Sequence, residues 1–152
     1  MNLFLADESA TIELGRRVLL QLPEDLAGWT LLLSGELGAG KSTFARALIH
    51  AGGHDGPVPS PTYTLVEPYQ LPRGNIYHVD LYRVSSEEEL RYLGWNELDK
   101  GFRLVEWPDR APGLVAQADL ALHLEYEGTG RRAELKGLSR RGEALVEALE
   151  KS

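Results

Sequence analysis

The residues best suited to chemistry fall in one run, Gly35-Glu36-Leu37-Gly38-Ala39-Gly40-Lys41-Ser42-Thr43, which fits G-x-x-x-x-G-K-[ST] without a mismatch. Glycines in such a loop let successive backbone N–H groups turn inward, where side chains would block an approaching phosphate. A helix starting at Lys41 adds its unpaired N-terminal amides and the positive end of its dipole. Lys41 can then reach the β- and γ-phosphates as a point charge, the Ser42 hydroxyl can ligate Mg²⁺, and Thr43 can donate to the α-phosphate. Gly38, Ala39, Gly40, Lys41, Ser42 and Thr43 are therefore the expected nucleotide-binding residues, with ATP and Mg²⁺ as the expected ligands.

A phosphate loop needs a carboxylate at the end of a neighbouring strand to hold the magnesium shell. Two acids follow strand-like apolar runs: Asp80, after Ile76-Tyr77-His78-Val79, and Glu106, after Phe102-Arg103-Leu104-Val105. Leu104-Val105-Glu106 is the cleaner pattern, and Glu67, next to Pro68, is a weaker third. Either acid taken alone would more often be an exposed strand-end charge. Trp107, between Glu106 and Pro108, is a candidate contact residue.

The elements that must position these groups follow from periodicity and turn signals. Leu3 to Ala6 reads as a short strand. Asp7 to Leu22 reads as a helix, capped by Asp7 or Ser9 and stopped by Pro23, with Ala10, Leu14 and Val18 on one stripe. Thr30 to Ser34 is a buried strand leading into the loop, and Lys41 to Ala51 is the following helix, ended by Gly52-Gly53. Three prolines make His54 to Pro61 an irregular loop. Thr62 to Tyr69 and Asn75 to Tyr82 suggest a hairpin, as do Asp119 to Tyr126 and Arg131 to Leu135 around Gly128-Thr129-Gly130. A short helix from Ser85 or Ser86 to Leu93, a strand from Phe102 to Trp107 and a helix from Ser139 to Leu149 complete the chain. The expected fold is a single α/β, P-loop NTPase-like domain over residues 1–152, a mixed central sheet flanked by helices.

Composition narrows the classes. The 152 residues carry 16 basic and 23 acidic side chains, a formal charge of −7, which disfavours direct binding to a phosphate backbone. There is no cysteine, and His50, His54, His78 and His123 lack zinc spacing, so a metal should be a hard ion held by oxygen. The N-terminus has no basic stretch of a signal peptide, and no apolar run is long enough for a membrane span, so a cytoplasmic protein without membrane contact is expected.

Four motifs stand in order: the phosphate loop, Ser60-Pro61-Thr62-Tyr63-Thr64-Leu65, His78-Val79-Asp80-Leu81-Tyr82-Arg83, and Glu106-Trp107. Together they closely resemble the TsaE family (formerly YjeE), small bacterial ATPases needed for threonylcarbamoyladenosine synthesis in tRNA, over nearly the whole chain. The resemblance implies that the Ser60-Pro61-Thr62 loop acts as a nucleotide-sensing switch, which makes Thr62 a nucleotide contact. It implies that His78, Asp80, Tyr82 and Arg83 face the γ-phosphate, that Glu106 is the magnesium-shell acid, and that Trp107 lies near a partner surface. Glu8 and Arg131 match the family's nucleotide contacts in the first helix and the C-terminal hairpin. The implied partner is a TsaB–TsaD assembly, with tRNA met only through that complex. Ser42 stands where many members carry Thr, which keeps the hydroxyl.

The mechanism expected from these residues is ATP hydrolysis by positioning and charge neutralisation, with Lys41, Asp80 and Glu106 as the catalytic set. Asp80 would orient or deprotonate the attacking water, and Ser42 and Glu106 would hold the metal. No arginine finger is identifiable; Arg83 and a partner chain are the two sources. The rivals are a small-molecule kinase, although residues 86–101 contain only Arg91 and no lid motif, and a nucleotide-gated interaction module without significant hydrolysis. No N-K-x-D or T-K-x-D run is present to read guanine.

Overall fold

A computed structural model describes residues 1–152. Seven strands form one mixed sheet: β1 (Asn2–Leu5), β2 (Thr30–Gly35), β3 (Val66–Tyr69), β4 (Ile76–Asp80), β5 (Phe102–Glu106), β6 (Leu120–Glu127) and β7 (Gly130–Gly137), in the order β1-β7-β6-β2-β5-β4-β3. The four central strands, β6, β2, β5 and β4, run parallel; β7 pairs antiparallel with β6, β1 antiparallel with β7, and β3 antiparallel with β4. Both expected hairpins are present, β3–β4 and β6–β7.

Alternation along the strands sends side chains to two faces, and each face has its own cover. Leu31 and Leu33, with Ile76, Phe102, Leu104, Leu122 and Leu124, meet the helices α1 (Glu8–Gln21), α2 (Lys41–Ala51) and α3 (Arg140–Lys151) in the larger core. Leu32, Val79 and Val105 point the other way and pack on Leu81, Leu90, Trp95 and Leu114. That second face is covered by short 3₁₀ turns at Glu87–Leu93, Trp95–Lys100, Pro108–Arg110 and Pro112–Gln117, and not by long helices. The helix expected from Ser85 or Ser86 to Leu93 is one of these: Ser86 precedes it, Gly94 at φ +70° stops it, and seven residues form only a tight 3₁₀ turn.

The caps follow the sequence. Asp7 accepts a hydrogen bond from the Ala10 N–H at 3.0 Å, and Ser139 accepts one from the Gly142 N–H at 3.0 Å. The α2 start has no such cap: Gly40 precedes it at φ +112° with no side chain to offer. One strand is shorter than expected. Residues 62–65 wind into a turn, closed by the Leu65 N–H on the Pro61 carbonyl at 2.7 Å with Leu65 at φ +70°, so β3 begins only at Val66. That turn carries Thr62 to the end of β4.

Candidate nucleotide site

β2 lies between β6 and β5, and its C-terminal end runs directly into the phosphate loop and α2. Gly35 makes the exit. It sits at φ +143°, and a Cβ there would lie 2.4 Å from the Leu124 carbonyl oxygen of β6. The loop then leaves a row of free donors. The backbone N–H groups of Gly38, Gly40, Lys41, Ser42 and Thr43 bond to no other backbone group, whereas the Ala39 N–H closes onto the Glu36 carbonyl at 3.1 Å. Unpaired amides at a helix start are an anion site by construction.

These residues line a cavity of about 300 Å³ together with Leu37, Ser60, Thr62, Asp80, Tyr82, Glu106 and Trp107. Lys41 donates from Nζ to the Gly35 and Glu36 carbonyls, the latter at 3.0 Å, and its ammonium lies 4.4 Å from the Trp107 ring centroid. Burial pushes its pKa below the ordinary lysine value; the Glu106, Asp80 and Asp109 carboxylates oppose that shift. Trp107 turns out of β5 at φ +58°, which brings its ring over the lysine and 5.0 Å from that of Tyr82.

Register explains why the two acids meet. Asp80 and Glu106 are partners across the parallel β4–β5 pair, one at the last position of each strand. Asp80 accepts from the Tyr82 N–H at 2.9 Å and from the Thr62 hydroxyl at 3.2 Å, and Thr62 is tied to Ser60 at 2.8 Å. Burial raises the Asp80 pKa above the ordinary aspartate value, the Tyr82 N–H lowers it, and the neighbouring Glu106 charge raises it again. Glu106 accepts from His78 Nε2 at 2.6 Å.

A second hollow of about 220 Å³ opens on the other side of the loop. Asp7, Glu8 and Thr11 of the first helix region, Gly38, Ala39, Gly40 and Thr43, and Thr129, Gly130 and Arg131 of the β6–β7 hairpin line it. Gly38, Gly40 and Thr43 belong to both cavities, so the two are continuous around the α2 start.

Eleven of the twelve expected site residues thus line the first cavity or the second: Glu8, Gly38, Ala39, Gly40, Lys41, Ser42, Thr43, Thr62, Asp80, Glu106 and Arg131, with only His78 outside. His78 was expected to face the γ-phosphate. It is instead buried behind Glu106, because residues 78 and 80 share a strand face but 78 lies one pleat deeper. Arg83 is also off the cavity; it is exposed, with its guanidinium 5.3 Å from the Tyr63 ring centroid. Leu37 and Tyr126 were not foreseen. Tyr126 donates its hydroxyl to the Leu37 carbonyl at 2.8 Å, a contact across 89 residues that only the β2–β6 pairing creates.

The donor set fits a hard cation. A hydroxyl (Ser42) and two carboxylates (Asp80, Glu106) line one cavity, and no cluster of three or more His, Asp or Glu side chains exists to hold a metal alone. That suits an ion whose remaining ligands are phosphate oxygens and water.

A mixed sheet whose parallel central strand opens into a glycine-rich loop and helix, with acids ending the next two strands on one side, β5 and β4, defines a P-loop NTPase-like domain. The family described as "Threonylcarbamoyl adenosine biosynthesis protein TsaE" matches residues 5–134, and the chain belongs to this TsaE family, whose role is in tRNA threonylcarbamoyladenosine biosynthesis. It is similar to the tRNA threonylcarbamoyladenosine biosynthesis protein TsaE of Haemophilus influenzae, 35% identical over 95% of this chain and 94% of that one. The Synechocystis protein of the same description is 37% identical over 77% of this chain and 76% of its own. Among solved structures, the crystal structure of Bacillus subtilus YdiB superposes with a TM-score of 0.81 over 99% of this chain and 94% of that chain; at 24% identity it shows the shared fold. No helix is long and apolar enough to cross a membrane.

Proposed function

We propose that this chain binds ATP with Mg²⁺ and hydrolyses it in support of tRNA threonylcarbamoyladenosine synthesis, acting on a TsaB–TsaD assembly. The observation that carries the enzymatic part is the convergence of the free loop amides, Lys41, Ser42, Asp80 and Glu106 on one cavity. The loop amides and Lys41 would hold the phosphates, and the hollow with Glu8 and Arg131 would take the nucleoside end. Ser42 and Glu106 would hold Mg²⁺, which when bound neutralises charge on the phosphates. Asp80 would orient the attacking water and receive its proton; the elevation of its pKa by burial makes it a better proton acceptor than an ordinary aspartate. Thr62, bonded to Asp80, links the 60–62 loop to that step.

Lys41 is the sole Lys or Arg side chain lining the phosphate cavity. Slow turnover by the chain alone and faster turnover in a complex follow, if a partner supplies a further cation. The partner and the tRNA pathway rest on family membership. The test is Mg-ATP hydrolysis by the wild type and Glu106→Ala, alone and with TsaB–TsaD. Stimulation by the complex, lost in the variant, supports the proposal. Tight ATP binding with no hydrolysis in either setting would leave a nucleotide-gated binding module, and ATP consumption only with a small phosphate acceptor would make the chain a kinase.

A further inference from the structure

The phosphate loop is held from outside as well as from within. Leu37, at its tip, is largely exposed, so packing does not fix this part of the loop. Two side chains of the β6–β7 hairpin do. Tyr126 donates to the Leu37 carbonyl at 2.8 Å, and Arg131 donates from Nη2 to the next carbonyl, that of Gly38, at 3.2 Å. The Arg131 guanidinium lies 4.3 Å from the Tyr126 ring centroid, so the two anchors also hold each other.

A trans peptide places its C=O and N–H on opposite sides of one rigid plane. Holding the Leu37 oxygen toward the hairpin therefore turns the Gly38 N–H away from it, and Gly38 is a residue of the phosphate cavity whose N–H has no backbone acceptor. Gly38 itself sits at φ +80°, and a Cβ there would come within 2.5 Å of the Tyr126 hydroxyl. Glycine is thus needed twice at this position, for its backbone angle and to admit the tyrosine hydroxyl. The support is stiff: β6 and β7 pair from Leu120–Gly137 to Glu127–Gly130, and Arg132 bonds Glu127 at 2.7 Å beside the turn.

We propose that Tyr126, braced by Arg131, is a positioning residue for phosphate binding: its hydroxyl fixes the Leu37–Gly38 peptide so that the Gly38 N–H is presented to the phosphates before the nucleotide arrives. This rests on the nucleotide-binding function proposed above. Tyr126 lines neither the phosphate cavity nor the adjoining hollow, so it acts through the loop and not by touching the ligand.

Tyr126→Phe is the clean variant, since it keeps the ring and its contact with Arg131 and removes only the hydroxyl. One hydrogen bond of this kind corresponds to roughly three- to tenfold in a binding constant. The experiment measures a fluorescent ATP analogue (mant-ATP with Mg²⁺) bound to the full chain, the Gly38 amide resonance in nucleotide-free protein, and the melting temperature. Expected are an affinity three- to tenfold weaker, a shifted Gly38 amide, and an unchanged melting temperature; in turnover, KM for ATP rises by the same factor while kcat stays within twofold. Equal affinity and an unshifted Gly38 amide in Tyr126→Phe would overturn the proposal, as would weaker binding that comes with a general loss of stability. Failure of the wild type to bind mant-ATP would sink the nucleotide-binding function instead, and the Gly38 resonance would still report whether Tyr126 sets the loop.

Discussion

His78→Leu tests how Glu106 is held. The imidazole and the carboxylate are both buried, with 2% and 5% of their side-chain surfaces exposed, and meet at 2.6 Å. His78 Nδ1 has no partner, so the bond to Glu106 is the one polar contact the ring makes. Leucine fills similar space but offers no donor, leaving Glu106 Oε2 bare in a site water reaches poorly. A hydrogen bond to a charged group contributes ~1.5–3 kcal/mol, and stripping one partner from a buried charged pair costs ~3–5 kcal/mol. Glu106 also lines the phosphate cavity, where water can approach its other edge, so the lower range applies and about 2 kcal/mol is expected. For a domain of this size that lowers Tm by about 4–8 °C. Calorimetry on His78→Leu, Glu106→Leu and the double variant closes the cycle. Replacing both partners by apolar groups is nearly neutral, so the double variant should regain most of the stability its single parents lose. His78→Gln, whose amide can donate from nearly the same place, should stay within ~1 kcal/mol of the wild type. A His78→Leu protein melting within a degree of the wild type, or a double variant whose loss is the sum of the two singles, would refute the reasoning.

Three further outcomes follow from contacts elsewhere. Gly142, in the first turn of α3, leaves no room: a Cβ would lie 1.8 Å from the Asp119 carbonyl oxygen, so Gly142→Ala should destabilise by ~2 kcal/mol or more, read by urea unfolding. Burial alone would push the Asp119 pKa up, but donors from Arg141, Ser139 and the Thr30 N–H outweigh it and hold the carboxyl below its ordinary 3.8. Its contribution is therefore present above the ordinary value of 3.8 and is lost as pH falls through the depressed folded value, so Asp119→Asn should flatten the acid limb of the stability curve. Asp80 has the opposite sign. Burial, opposed by the Tyr82 N–H and reinforced by Glu106, raises its pKa, so its charge weakens the fold as pH rises through the raised value. Asp80→Asn should then raise Tm at about pH 7.5 while ATP hydrolysis falls; a variant that melts lower and keeps turnover would contradict both statements.

Local signals made most of the fold legible. The phosphate loop, the α2 bounds at Lys41–Ala51, the cap at Asp7 and both hairpins follow from residues close together in sequence. The errors arose where a neighbour in space decided the outcome. Thr62 to Leu65 has strand-like composition, yet the Leu65 N–H bonds back to Pro61 and the Asp80 N–H takes the Leu65 carbonyl at 2.9 Å, which bends this segment toward β4. The segment from Ser85 or Ser86 to Leu93 suggested a short helix, whereas it forms a 3₁₀ turn whose Leu90 joins Trp95 and Leu114 in capping the second sheet face. Tyr126 carried no local signal at all, since its role depends on β6 lying beside β2.

Strand alternation also separates the work of the two acids. His78, Asp80, Leu104 and Glu106 project from one face of β4 and β5, the face that turns toward α2 and the loop. On that face Glu106 draws its donor from His78, inside the sheet, while Asp80 draws its donors from Thr62 and the Tyr82 N–H, both in chain that leaves the sheet. A carboxylate held by a buried strand residue keeps its place when loops move, as a metal-shell acid must. One held by the 60–62 loop changes its surroundings whenever that loop does. Under the proposed function the loop would therefore act on hydrolysis through Asp80 and leave metal binding to Glu106 intact, so that Thr62→Val should slow turnover more than it weakens Mg-ATP binding.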